Sequence, residues 1–269
     1  MANEKTIAAL AATEEERMLL VRVCDRIERA ERREQPVSTF FLTPRERTLA
    51  AQLLPQAKFF GGTEGAERTV AYYLPEYLAP EDWLADGVVA CLRATFYEKN
   101  ALTHRDMLGA LMGAGLRRDA IGDIYVAEDH CDFFVLDELA QYLLDNLTSA
   151  GRTALKLRRL PLCEVERPPE RLRELRVTVF SLRLDGVLSA AFHVSRADAA
   201  QAVNAGRVTV NGAVCVKPDR QLAPQDVLAL RGKGKLRILS LGGETKKGRQ
   251  AVTVGIYELE KRALICPLF

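Results

Sequence analysis

The side chains best suited to chemistry in this chain are cations. Arg183, Arg196, Arg207, Lys217, Arg220, Arg231, Lys233, Lys235 and Arg237 fall within residues 181–240, against four acids, Asp185, Asp198, Asp219 and Asp226, an excess of five positive charges. A guanidinium is a planar fork that meets two phosphate oxygens at once, whereas an ammonium is a compact charge that meets one. Such a set suits the phosphates of a polyanionic backbone. Arg183, Ser195, Arg196, Arg207, Lys217, Arg231, Lys233 and Lys235 are therefore the candidate binding residues. Ser195 belongs with them because its hydroxyl, and the helix start behind it, add donors.

Other reactive side chains do not group by spacing. Cys24, Cys91, Cys131, Cys163, Cys215 and Cys266 contain no Cys-x-x-Cys pair, so they read as reduced, mostly buried thiols and not as a zinc site or redox dithiol. His104, His130 and His193 have neither triad nor metal-ligand spacing. Gly109-x-x-x-Gly113-x-Gly115 lies late in a helical pattern with no Gly-Lys-Ser/Thr after it, and is no phosphate loop. Gly115 is expected as the left-handed residue past a helix, with Gly109 and Gly113 allowing close packing. No catalytic residue, cofactor or metal is expected.

The cations need elements to hold them. Ser181–Leu188 reads as a short amphipathic helix capped by Ser181, and Ser195-Arg196-Ala197-Asp198 opens a second that runs to Asn204, with Gly206 past its end. Alternating β-branched residues on either side of Asn211-Gly212 predict a tight hairpin, because both turn positions need positive φ. Asp226–Leu230 and Lys235–Leu241 add strands around Gly232-Lys233-Gly234. Gly206, Asn211 and Gly212 serve turn geometry, and Asp185 is expected to hold a basic neighbour in place.

Two short helices followed by such a hairpin resemble the S4 RNA-binding domain. Arg183-Leu184-Asp185, Ser195-Arg196, Gly206-Arg207-Val208-Thr209-Val210-Asn211-Gly212, Lys217-Pro218 and Gln225-Asp226-Val227 carry the resemblance, in that order.

Upstream, Thr13-x-x-Glu16 and Thr43-Pro44-Arg45-Glu46 mark two helix starts, the first helix ending before Pro36 and the second near Pro55. Ser38–Leu42, Lys58–Phe60 and Arg68–Tyr73 read as strands, giving a small α+β domain over residues 1–80. Tyr72, Tyr73 and Tyr77 are expected to pack and not to form a base-stacking platform. Residues 81–163 then run strand (Val88–Tyr97), helix (Thr103–Leu116), strands (Asp123–Ala127 and Asp132–Leu136), helix (Asp137–Asn146) and strand (Ala154–Leu160). That βαββαβ order is ferredoxin-like, as in RNA-recognition domains. Its third strand, His130-Cys131-Asp132-Phe133-Phe134-Val135, lacks the basic-Gly-aromatic signature of base stacking. Residues 164–180, with Pro168-Pro169 and alternating Arg and Glu, read as a linker, 181–241 as the S4 domain and 242–269 as a C-terminal β extension. The fold class is α+β, in several domains.

Over its whole length the chain resembles the YlmH family, on Arg105-Asp106-x-Leu108-Gly109-Ala110-Leu111-Met112-Gly113, Ile121-Gly122-Asp123-Ile124, Asn146-Leu147 and Gly151-Arg152-Thr153 besides the S4 motif. Residues 1–80 match in general pattern only. The resemblance implies a non-catalytic protein that binds rRNA and peptidyl-tRNA on the large ribosomal subunit, in ribosome-associated quality control of stalled chains, alongside other quality-control factors. It is expected to be a cytoplasmic monomer away from membranes, since no apolar run spans a bilayer and Met1-Ala2-Asn3-Glu4 is unlike a signal peptide.

Two other classes compete. An S4-linked RNA-modifying enzyme of the pseudouridine synthase type is suggested by Arg183-Leu184-Asp185, but that Asp lies inside the S4 helix and little chain follows. A protein-interaction adaptor linked to cell division is suggested by charge. Residues 151–269 hold 22 Lys/Arg against 11 Asp/Glu, whereas residues 1–150 hold 16 against 25, although the chain as a whole is only +2. One end suits a polyanion and the other does not.

Overall fold

A computed structural model describes residues 4–85, 87–97, 102–168, 172–244 and 248–257 of the 269. It divides into two compact units, Met1–Pro168 and Pro169–Phe269.

The first unit begins with α1 (Glu4–Leu10), α2 (Glu14–Arg33), β1 (Val37–Leu42), α3 (Pro44–Leu53), β2 (Lys58–Phe60), β3 (Thr69–Tyr73) and α4 (Pro80–Ala85). The Thr13 hydroxyl accepts from the Glu16 N–H at 3.1 Å, and the Glu16 carboxylate takes the N–H of Ala12 at 2.6 Å. That carboxylate also accepts from Arg45 at 2.6 Å, tying the start of α2 to the start of α3. Leu20, Val23, Cys24 and Ile27 then lay α2 on one face of the antiparallel sheet β1-β3-β2, against Leu42 and Ala71. Tyr72 packs on Trp83 with centroids 5.5 Å apart, as expected, whereas Tyr77 is 66% exposed and only its hydroxyl is engaged, donating to Glu34 O at 2.8 Å.

There follow β4 (Val89–Thr95), α5 (His104–Gly113), β5 (Ile121–Val126), β6 (His130–Leu136), α6 (Ala140–Asn146), the short β7 (Ser149–Ala150) and β8 (Thr153–Ala154), and β9 (Lys156–Leu160). The sheet order is β5-β6-β4-β9, antiparallel throughout. Met107 and Leu111 of α5 and Leu143 of α6 cover one face through Leu92 and Phe133. On the other face Cys91, Phe134 and Leu160 pack against Phe41 and Val70, from the opposite side of the N-terminal sheet. The two sheets therefore share a core within one unit.

Polar groups close its margin. Arg68 donates to Ile121 O at 2.9 Å and to Phe41 O and Arg118 O at 3.2 Å, and the Asp123 carboxylate accepts the backbone N–H groups of Glu67 (2.8 Å) and Arg68 (3.0 Å). Burial, and then the charge of Arg118, lower the Arg68 guanidinium to about 10, which leaves it charged at neutral pH. Gly115 is left-handed at φ 91° as expected. Gly109 and Gly113 are not close-packed, because a Cβ at either would meet nothing within 4 Å. Helical periodicity cannot tell a packing glycine from one facing open space.

The second unit holds β10 (Leu172–Val179), α7 (Leu184–Phe192), α8 (Arg196–Asn204), β11 (Val208–Val210), β12 (Ala213–Val214), β13 (Val227–Leu230), β14 (Gly234–Glu244) and β15 (Gln250–Tyr257). Its sheet order is β10-β15-β14-β13-β11-β12. The expected linker is corrected here: residues 172–179 form a strand that pairs with β15 along its full length, from Leu172↔Tyr257 to Val179↔Gln250. From Glu174 on, the exposed Glu174, Arg176 and Thr178 alternate with the more buried Leu175, Val177 and Val179, as in a strand with one polar face. The first S4 helix begins at Leu184 with Arg183 at its N-cap, so Ser181 is not the cap. Asn211 (φ 52°) and Gly212 (φ 80°) make the predicted turn, and the Asn211 side chain donates to Asp226 and accepts from the Val227 N–H, both at 2.8 Å. Leu184, Val187, Leu188, Ala199 and Val203 of the helices meet Leu228, Leu230, Leu236, Ile238, Val252 and Val254 of the sheet in a single core.

Cys24, Cys91, Cys131 and Cys215 are buried free thiols and Cys163 is exposed, while Cys266 and the end of the expected β extension lie outside the described residues. No helix among the described residues is long and apolar enough to cross a membrane.

A Cβ on Gly122 would lie 2.7 Å from the Phe41 ring and 2.9 Å from Phe134 Cβ, at the junction of the two sheets. Gly122→Ala is expected to destabilise the first unit by about 1–3 kcal/mol, read as a lower urea midpoint in circular dichroism.

Candidate nucleic-acid interface

The start of α7 carries no side-chain cap, and a loop fills that place. The Leu184 N–H donates to Arg220 O at 2.9 Å, the Asp185 N–H to Pro218 O at 3.0 Å, and the Leu222 N–H to Leu182 O at 2.8 Å. The backbone of residues 217–222 is thereby fixed beside Arg183. Asp185, in the first turn, has a side chain only 6% exposed. Its Oδ1 accepts from Arg183 Nε at 3.2 Å and from the Gly186 N–H at 2.8 Å, and its Oδ2 accepts from Arg183 Nη2 at 3.3 Å and Arg196 Nε at 3.1 Å. One buried carboxylate thus bridges the arginines that begin the two helices.

Burial alone would raise the Asp185 carboxyl, but the hydrogen bonds and charges of Arg183 and Arg196 outweigh it and hold the group below the usual carboxylate range. The same hydrogen bond raises the Arg183 guanidinium. Both arginines keep solvent access, at 36% and 57% exposure, so the fork faces are oriented from beneath and open above. That arrangement suits phosphate oxygens.

The predicted residues do not all meet in one place. Arg183, Arg196 and exposed Lys217 lie around the starts of α7 and α8. Arg207 follows the far end of α8, a helix of nine residues and about 13 Å. Its N–H donates to Ala202 O and its carbonyl accepts the Arg231 N–H at 3.0 Å, so Arg207 and Arg231 form a second exposed group, with Lys233 in the turn after β13. Lys235 belongs to neither group. It pairs with Ala229 and alternates with the core residues Leu236 and Ile238, which puts it on the sheet face away from the helices, its Nζ 4.7 Å from the Tyr257 ring centre. Ser195 accepts the Asp198 N–H at 3.0 Å and gives its hydroxyl proton to the Asp198 carboxylate at 2.7 Å, so it acts as a cap and not as a donor to ligand.

Sequence reading gave Asp185 one basic neighbour where the structure gives it two. The second, Arg196, is eleven residues away and is reached only because the helices pack at their starts. Tyr257 beneath Lys235 and Arg237 was missed altogether. A lone aromatic late in an apolar strand gives no sign of its face until the register is known.

Comparison with known proteins accords with this geometry. Residues 182–228 match the S4 domain model, and residues 92–164 match the model "Putative RNA-binding domain in YlmH". The Bacillus subtilis (strain 168) protein "Ribosome-associated protein quality control protein P2" is 34% identical over 220 residues, covering 80% of this chain and 85% of that one. A solved structure, "Cell division protein ylmH from Streptococcus pneumoniae", aligns with a TM-score of 0.49 at 20% identity, over 58% of this chain and 98% of that one. The match over the two helices and the hairpin makes this an RNA-binding protein of the S4 class. Within that class, the chain belongs to the YlmH family.

Replacing Asp185 by Asn removes the charge that holds both arginines and is expected to cost about 1–3 kcal/mol of stability at neutral pH, measured by urea denaturation. The folded carboxyl lies below its unfolded value, so its contribution is complete above the ordinary carboxylate range and is lost as pH falls through the folded value. The gap between wild type and Asp185→Asn should therefore close on acidification from pH 7 towards about 3.

Proposed function

We propose that this protein binds structured rRNA and the adjacent peptidyl-tRNA on the large ribosomal subunit through its S4 surface, without catalysis, in quality control of stalled nascent chains. The observation that carries the reading is Asp185 held between Arg183 and Arg196, which presents two oriented guanidiniums at adjacent helix starts. Arg183, Arg196 and Lys217, with Arg207, Arg231 and Lys233, supply the sequence-independent part of the affinity. The ribosomal setting is supported by the name of the Bacillus subtilis relative, a ribosome-associated quality-control protein.

Asp185 itself speaks against a pseudouridine synthase. Its side chain is only 6% exposed, with both oxygens engaged by arginine, which withholds it from a substrate. The buried thiols fit the same reading: burial raises Cys24 to about 11 and Cys91 to about 12, leaving them protonated at neutral pH.

Ribosome co-sedimentation tests the proposal. Arg183→Glu with Arg196→Glu is expected to abolish association with large subunits at physiological salt, and retention of the folded variant on the subunit would overturn the S4 reading. Wild-type affinity for structured RNA should fall with salt to roughly the −4 to −5 power, measured by fluorescence anisotropy. RNA incubated with the protein should gain no pseudouridine.

A further inference from the structure

Paired residues of the sheet β5-β6-β4-β9 share a face, so the face turned towards the N-terminal sheet runs in rows. Phe134, Cys91 and Leu160 form the first row, Asp132, Arg93 and Arg158 the second, and His130, Thr95 and Lys156 the third. The first row is buried under Phe41 and Val70. Cover then stops: the Arg93 side chain is 22% exposed, and Thr95, Lys156 and Arg158 are exposed.

In the second row, Arg93 Nε and Nη2 donate to the two oxygens of Asp132, both at 2.6 Å, and that carboxylate is only 4% exposed. A buried ion pair adds little stability over an apolar pair of similar volume, and the neighbouring row shows such a pair in Cys91 and Phe134. What the ion pair does supply is a fork of fixed direction, with Nη1 outside the pair. The device is the one at Asp185: a buried carboxylate beneath an arginine at a surface. Asp132 is taken by Arg93 and Asp129 by His130 at 2.6 Å, whereas Arg158 and Lys156 have no carboxylate partner among the described residues.

We propose that Arg93, Arg158 and Lys156 form a second RNA contact, which holds the sugar-phosphate backbone of structured RNA and reads no bases. Base stacking on this face would need its aromatic residues. Phe134 is fully buried, and Tyr125 packs on it edge-on at 5.6 Å with its hydroxyl donating to Asp123. The patch lies within the segment matched by the RNA-binding family model. Because residues 1–150 carry 25 acids against 16 bases, the patch acts at short range, on RNA already held elsewhere. In this it rests on the S4 reading above.

The experiment compares full-length wild type, Lys156→Glu/Arg158→Glu, Lys156→Gln/Arg158→Gln and Arg183→Glu/Arg196→Glu. Each is titrated with an RNA hairpin and with oligouridine of equal length over a salt series, with folding checked by circular dichroism. Reversal on β9 should weaken hairpin binding at least about fivefold and lower the log–log salt slope by about two, equally for hairpins of unrelated sequence. The glutamine pair should reproduce the slope change. Unchanged affinity and slope in the folded β9 variants, while Arg183→Glu/Arg196→Glu still weakens binding, would overturn the second contact and leave the S4 reading intact. Undiminished binding by Arg183→Glu/Arg196→Glu would overturn the S4 reading itself. Tyr97 is 75% exposed just beyond β4, and a preference for oligouridine that Tyr97→Ala removes would overturn the backbone-only mode.

Discussion

A carboxylate withdrawn from water must find cations and N–H donors, or the fold around it is lost. Asp185 meets that demand with two arginines and a backbone N–H. Because the cations come from two helices, the demand fixes more than a local contact. It sets the start of α7 against the start of α8, and the loop after Lys217 then closes over the same turn through Pro218 O and Arg220 O. The placement of Arg183 and Arg196 at the two helix starts follows from this one buried charge. They stand where they do because the carboxylate beneath them cannot be left alone.

The first unit answers a different demand, that a sheet with two apolar faces needs two covers. Helices α5 and α6 cover one side of the middle sheet, and the N-terminal sheet covers the other. An RNA-recognition fold with an open sheet could stack bases there. Here Phe134 lies in the shared core, so fold order and binding mode part company. The N-terminal sheet in this respect covers the aromatic row of that face, Phe134 with Cys91 and Leu160, and leaves the polar rows uncovered.

Most of the elements were legible in the sequence because their causes are local. Thr13, Thr43, Thr103 and Ser195 cap helices by accepting the backbone N–H of the residue three positions on, and Asn211-Gly212 fixes its own turn. What was not legible depends on partners distant in the chain. Residues 172–179 looked like a linker because the strand that pairs with them begins at Gln250. Lys235 looked like part of the binding loop because its face is decided by the register with Val227–Leu230. The Arg93–Asp132 pair, 39 residues apart, has no local signature beyond a charge set in an otherwise apolar strand. The cations of the site were visible as a set, and their division into two groups at opposite ends of α8 was not.

The pairing of β10 with β15 has a consequence for the order in which the molecule is made. β15 lies between β10 and β14, so β10 has no neighbour in the sheet until residues 250–257 have been synthesised. As a nascent chain grows, α7, α8 and the hairpin are made first, but the core they share also needs Val177 and Val179 of β10 and Val252 and Val254 of β15. Contacts of such long sequence separation form slowly. The second unit therefore completes both its sheet and its core only once residues 250–257 have emerged.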